Sequence, residues 1–285
     1  MSTTEPAAAA TERDPARLAE AVGWLAEHAD ENLGTEMVVQ RAGSDPAWDI
    51  RVSRLHGQLS GVSASTPGGQ WFLEADGPEA VGELVSAVLP SEAARWPAKV
   101  TASGKVKVWL RPRLLERGAV INREHDLLAM ACRKPPDGGG GRWAGASDRP
   151  ALERYQGAYN EERRTTTAPD WSALLRRPVV AVLEEDGRIV AVVKRTGDTT
   201  RYATIGGTWT DPGGRRRGLA GRLTAFIVGG LLLERPAVHL VVDDDNTAAI
   251  ALYRSLGFEE TGRCYMAYLS PAGAGKPPTD PEPAQ

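Results

Sequence analysis

The chain has 285 residues, 41% of them hydrophobic, and a formal net charge of −3, with a pI near 5.9. That length allows one large or two ordinary domains with packed cores, and the acidic balance argues against a general nucleic-acid binder. No apolar run approaches the roughly 18 residues of a membrane-spanning helix, so neither nucleic acid nor membrane is expected as a partner.

Met1 to Ala10 lacks the positive charge and apolar stretch of a secretory signal. The Ala-rich, polar residues 1–12 read as a disordered tail. Residues 13–134 read as an N-terminal α/β domain. Asp14-Pro15 opens a helix with apolar Leu18, Val22, Leu25, Ala26 and Ala29, and Asn32-Leu33-Gly34 ends it. Strands are expected over Asp49–Leu55, Gly57–Ser65 and Gln70–Glu74, with a turn at Pro67-Gly68-Gly69. Pro78 to Leu89 reads as a helix, Lys99–Thr101 and Val106–Leu110 as short strands, Pro112–Arg117 as a brief helix, and Arg123–Cys132 as a strand.

Lys134-Pro-Pro-Asp-Gly-Gly-Gly-Gly-Arg142 has the composition of a linker, which places a boundary at 135–142 and a second domain at 143–270. That domain opens with a strand at Trp143–Ala146. Ser147 and Asp148 offer an N-cap to a helix that ends near Asn160, and a second helix covers about Asp170–Arg176. Val179–Glu184 and Arg188–Arg195, joined by Glu-Asp-Gly, read as a hairpin. The strand Tyr202–Thr210 contains Gly206-Gly207, a signal for a bulge or a close backbone approach. A long helix, roughly Arg215–Leu233, presents Leu219, Leu223, Phe226, Ile227, Gly230 and Leu231 on one face. The strand Ala237–Asp243, a helix Thr247–Leu256 stopped by Gly257, and strands Phe258–Glu260 and Arg263–Leu269 follow. The Pro-rich residues 271–285 read as a second disordered tail.

The two halves look alike. Each runs from strands into an apolar helix, a strand, a short helix, a Gly and a final strand; Leu114-Leu-Glu-Arg-Gly118 parallels Leu252-Tyr-Arg-Ser-Leu-Gly257, and Leu128-Ala-Met-Ala131 parallels Tyr265-Met-Ala267.

The chemistry concentrates at Trp209-Thr-Asp-Pro-Gly-Gly-Arg-Arg-Arg-Gly-Leu-Ala220, between a strand and a helix. The first N–H groups of a helix have no internal partner and lie at the positive end of its dipole, so a phosphate is their natural occupant. Gly213, Gly214, Gly218 and Ala220 allow close approach, and Arg215, Arg216 and Arg217 add charge-assisted donors. Arg215-x-x-Gly218-x-Ala220 matches the Arg/Gln-x-x-Gly-x-Gly/Ala signature of the GCN5-related N-acetyltransferases (GNAT), and Asn246-Thr-Ala-Ala-Ile-Ala-Leu-Tyr-Arg-Ser-Leu-Gly-Phe258 resembles that family's second signature. The resemblance covers roughly Arg142 to Ser270.

What the resemblance implies is a mixed α/β GNAT fold in the C-terminal half, with the N-terminal half as a degenerate GNAT-like copy. Where the second copy has Pro-Gly-Gly-Arg-Arg-Arg-Gly, the first has Asp76-Gly-Pro-Glu-Ala-Val-Gly82, whose acids would repel a diphosphate. The resemblance further implies transfer of an acetyl group from acetyl-CoA to an amine in a ternary complex. The amides of Arg216, Arg217, Gly218, Leu219 and Ala220 would hold the diphosphate, helped by Arg215. Trp209 and Thr210 would meet the pantetheine arm, Asn246 is either near the CoA path or a helix cap, and Tyr253 is the general acid or an amphipathic core tyrosine. The strand before the phosphate loop has no carboxylate, so the base stays open among Glu161, Glu162, Asp211 and Asp243, while an amine with a depressed pKa or a water chain to bulk would need none. The cleft wall is expected from Tyr155 to Arg164.

Asp243-Asp244-Asp245 reads as a solvated loop rather than a metal site, and the 4 His are scattered. Cys132 and Cys264 are too far apart for a zinc motif and read as buried thiols of a cytoplasmic protein. A regulatory acyl-CoA-binding module is the alternative to an enzyme. The acceptor, acyl-chain preference and assembly state, a homodimer included, stay open.

Overall fold

A computed structural model of the protein describes residues 9, 11–27, 33–42, 47–89, 96–163 and 168–272. The chain divides into two units, one of Met1–Ala129 with Thr261–Lys276 and one of Met130–Glu260 with Pro277–Gln285. The expected tails lie almost wholly outside the described residues. Where the first one is described, it is held against the sheet: Glu12 N–H donates to Ile50 O at 2.7 Å, and Arg51 Nη1 donates to Ala9 O at 2.9 Å.

In the first unit, helices α1 (Pro15–Glu27) and α2 (Leu33–Ala42) precede strands β1 (Asp49–Leu55), β2 (Gln58–Ser65) and β3 (Gln70–Ala75). Helix α3 (Pro78–Val88) crosses to β4 (Lys99–Ser103), and helix α4 (Lys107–Glu116) leads to β5 (Ala119–Cys132). Pairing is antiparallel for β1–β2 and β2–β3, then parallel for β3–β4. Ala21, Leu25, Val38 and Val39 of α1 and α2 pack with Ile50, Val62 and Phe72. Leu84, Leu110 and Leu114 of α3 and α4 pack with Leu73 and Val100. Successive strand residues alternate between the two faces, so Phe72 and Leu73 serve opposite layers.

Two expectations fail in this unit. Leu33 and Gly34, expected to end a helix, instead open α2, where Val38, Val39 and Ala42 recur at helical spacing and are buried. The expected strand Val106–Leu110 is a 3₁₀ turn running into α4. Its alternation of Lys and Val imitates a strand, yet the fully buried residues are Val106, Leu110 and Leu114, four apart, while Val108 is 66% exposed.

The second unit contains β6 (Arg142–Trp143), α5 (Arg149–Arg163), α6 (Trp171–Leu174), β7 (Val180–Glu185), β8 (Arg188–Asp198), β9 (Ala203–Thr210), α7 (Leu219–Leu231), β10 (Val238–Asp243) and α8 (Thr247–Ser255). Pairing is antiparallel for β7–β8 and β8–β9, then parallel for β9–β10. This repeats the order seen for β1 to β4, with α3 and α7 as the matching crossovers. The internal repeat is thus a repeat of topology. Asp148 anchors the start of α5, accepting from Gly145 N–H at 2.8 Å and from both terminal nitrogens of Arg142.

The last strand, β11 (Glu259–Pro271), departs from the expected 143–270 grouping. From Cys264 to Tyr268 it pairs antiparallel with β4, within the first unit. The Gly-rich stretch read as a linker is also not free. Gly140 N–H donates to Arg222 O of α7 at 3.0 Å. A Cβ on Gly141 would meet Leu223 Cδ1 at 2.7 Å and Val182 O at 2.9 Å. These glycines permit close packing on α7 rather than flexibility.

Candidate active site

The gap between β9 and β10 organises the site. The two strands pair at only Val238↔Ala203 and His239↔Thr204, although β9 runs on to Thr210 and β10 to Asp243. Their carboxyl ends therefore part, leaving backbone groups unclaimed by a neighbour strand at the end where open α/β sheets bind ligands. The first unit has no such opening between β3 and β4, which stay paired from Gln70↔Lys99 to Leu73↔Ala102. At that end the buried Glu74 carboxylate accepts from Ser103 Oγ at 2.9 Å and meets Lys105 Nζ at 3.2 Å.

A bulge marks β9 where Gly206-Gly207 suggested one. Val192 pairs with Trp209 but Lys194 pairs with Gly206, so β9 carries an extra residue, and Gly207 has φ +61°. Tyr155 of α5 donates from its hydroxyl to Gly207 O at 3.1 Å. Its ring also lies 5.4 Å from that of Trp209, edge-on.

The loop after β9 is tighter than expected. Pro212–Gly214 forms a 3₁₀ turn, Arg215 is extended, and α7 begins at Leu219 rather than Arg215. Arg216 (φ +60°) and the N-cap Gly218 (φ +76°) are left-handed. Left-handed residues beside a helix start shape backbone amides into anion-binding concavities. No side chain caps α7 at Gly218, and open space surrounds the position a Cβ would take there. Leu219 is buried, while Arg215, Arg216, Arg217 and Gly218 are exposed and Ala220 is half-buried. A diphosphate fits these features.

Two of the arginines already have carboxylate partners. Arg215 donates to Glu162 at 2.5 Å and, through Nε, to Thr210 O at 3.2 Å; Arg217 pairs with Glu185 at 2.9 Å. Trp209 Nε1 donates to the same Glu162 oxygen at 3.1 Å. Glu162 thus clamps the end of β9 to α5, a task unlike the base role open to it in the sequence. Asn246 caps α8, its Oδ1 accepting from Ala249 N–H at 3.2 Å. Tyr253 is buried, packs 5.7 Å from Phe258, and its hydroxyl lies 3.4 Å from Thr208 Oγ1 beside the bulge. Glu161 is exposed, whereas Asp211 and Asp243 are half-buried.

The structure therefore brings β9, the loop that follows it and Tyr253 together. Sequence reasoning missed Tyr155's bond to the bulge and the buried Lys194. The signal for Lys194 was available, since it continues the alternation of Val190 and Val192 on β8. Among the described residues no group of three or more His, Cys, Asp or Glu is placed to hold a metal, and no helix is long and apolar enough to cross a membrane.

The model of the acetyltransferase (GNAT) family matches residues 149–258. The likeness to the GNAT family thus lies in the C-terminal half of the chain, at residues 149–258. Solved structures share the fold over nearly the whole chain. A GCN5-related N-acetyltransferase from Sphaerobacter thermophilus is 18% identical, with a TM-score of 0.62 over 97% of this chain and 100% of its own. A GNAT-family acetyltransferase from Colwellia psychrerythraea is 14% identical, with a TM-score of 0.56 over 91% of this chain and 98% of its own. A tandem GNAT protein from the clavulanic acid biosynthesis pathway is 16% identical, with a TM-score of 0.56 over 94% and 99%. No match was found among curated proteins.

Proposed function

We propose that the second unit transfers an acetyl group from acetyl-CoA to a primary amine held beside it, by direct attack in a ternary complex. The observation that carries this reading is the parting of β9 from β10 next to the uncapped start of α7. Acetyl-CoA would supply an activated thioester. Backbone amides at Gly218, Leu219 and Ala220, with Arg216 and Arg217 alongside, would bind its diphosphate; Arg215 holds the loop to Glu162 and Thr210. The free edge of β9 around Trp209 and Thr210 would offer its amides and carbonyls to the pantetheine arm. A fixed amide at the bulge would stabilise negative charge developing on the carbonyl oxygen. Tyr253, held at Thr208, would give a proton from its hydroxyl to the departing sulfur. Asn246 shapes this wall by capping α8. No carboxylate lies on β9, and Glu162 is committed to Trp209 and Arg215, so the amine's proton leaves by another route.

We assign the first unit no acyl-transfer role, because β3 and β4 do not part and Glu74, Ser103 and Lys105 fill that end. Free buried thiols at Cys132 and Cys264 suit a reducing cytoplasm.

Thiol release from acetyl-CoA across a panel of amines tests the proposal. Amine-dependent release is expected; CoA binding with no release on any amine class would instead make the protein an acyl-CoA-binding regulator.

A further inference from the structure

Lys194 lies inside the second unit, 8% exposed. Its Cα partners are Val180 on β7 and Gly206 on β9. Direct partners in a sheet share a face, and Val180 belongs to the layer where Tyr155, Tyr159 and Trp209 pack between sheet and α5. The Nζ stands over two rings, 5.9 Å from the centroid of Tyr155 and 5.7 Å from that of Tyr159. Among the described residues no carboxylate forms an ion pair with it. Burial alone lowers its pKa to about 8, so the ammonium form still dominates at neutral pH. Two tyrosine faces attract a cation but do not neutralise it.

The surroundings connect this cation to the gap. On the same face Gly206 is followed two residues away by Thr204, whose Cα partner on β10 is His239, the last residue before the strands part. Thr204 and His239 are buried. Tyr155 ties the cage to the bulge through Gly207 O. Lys194, Thr204 and His239 thus share one face of β8, β9 and β10 beside the opening, under the helix expected to wall the acceptor side.

We propose that Lys194 is the acceptor-selecting residue, and that the acceptor is an amine carrying a carboxylate, which pairs with Nζ while its amino group faces the gap. This rests on the acyl-transfer reading above and adds the substrate class. One ammonium matches the single charge of a carboxylate. A phosphate dianion would bring more charge than this face compensates, since the next basic residue, Arg195, points to the opposite face and pairs with Glu234 and Asp198.

The test compares amino acids with their carboxamides, from glycine upward, on the full chain and its Lys194→Met and Lys194→Arg variants, with CoA affinity as the check on folding. Wild type is expected to favour the acids by about tenfold or more in kcat/KM, mainly through KM. Lys194→Met should bring each pair to within about twofold, and Lys194→Arg should retain part of the preference. Equal use of acid and amide by wild type, or a preference that survives Lys194→Met, overturns the proposal while leaving acyl transfer intact. A second readout needs neither turnover nor a variant. In protein labelled at lysine Cε, the Lys194 resonance should titrate near pH 8, and saturating glycine should raise that midpoint by roughly one unit while glycinamide does not. No thiol release with any amine would sink the acyl-transfer reading; the titration would still decide whether a carboxylate binds, and an unmoved midpoint refutes it.

Discussion

Tyr253 has a task only if its hydroxyl meets the leaving sulfur. Its ring is fixed by Phe258 and its oxygen lies at Thr208, so Tyr253→Phe should leave packing and CoA affinity unchanged. Turnover should fall by roughly 10²-fold, measured as steady-state thiol release; an unchanged rate would remove the tyrosine from the chemistry. Gly218 differs, since the proposed anion site rests on its left-handed backbone and open surroundings. Gly218→Glu puts negative charge there and should weaken CoA binding by at least about 30-fold in calorimetry, a loss of roughly 2 kcal/mol or more. Gly218→Asn tolerates the backbone conformation and should keep most of the affinity, so equal losses in both variants would point to strain rather than charge. These candidate roles could be proposed from the sequence because a cofactor signature is local: Arg215, Gly218 and Ala220 lie close together in the chain. Glu162 was not legible as a clamp, because its partners Trp209 and Arg215 lie far along the chain.

At the scale of elements, local pattern succeeded where periodicity was unambiguous and failed where composition imitated something else. Lys-Val alternation hid the start of α4, and the polyglycine stretch before β6 resembled a linker. The remedy in each case is tertiary. Gly141 has φ +147° and its missing Cβ leaves room for Leu223 and the Val182 carbonyl. Gly141→Ala should lower unfolding stability by about 2 kcal/mol in urea titration. Gly138 is also left-handed (φ +74°) but faces open space, so Gly138→Ala should cost only about 1 kcal/mol or less. Similar effects at both positions would mean backbone conformation alone matters and the packing on α7 does not.

For the whole molecule, two buried lysines set a pH signature. Lys194 and Lys99 both have pKa values lowered from 10.5 to about 8 by burial. Between those values the unfolded chain binds more protons than the folded one, so stability rises with pH, by up to roughly 3 kcal/mol per lysine. Below pH 8 both states are protonated and the slope vanishes. Tyr265, raised by burial and by its bond to Glu124, opposes this only above about pH 10. Urea midpoints taken from pH 7.5 to 9.5 should therefore climb, and Lys194→Met should remove about half of the climb; a flat profile would show that water reaches both lysines.

The return of β11 to pair with β4 has a consequence for how the protein is made. A ribosome makes the first unit's residues up to Ala129 before the second unit's, yet the strand Cys264–Tyr268 that hydrogen-bonds β4 is made only after the second unit's residues up to Glu260. The half of the protein born first must wait, one edge bare, until nearly all of the half born second has left the tunnel.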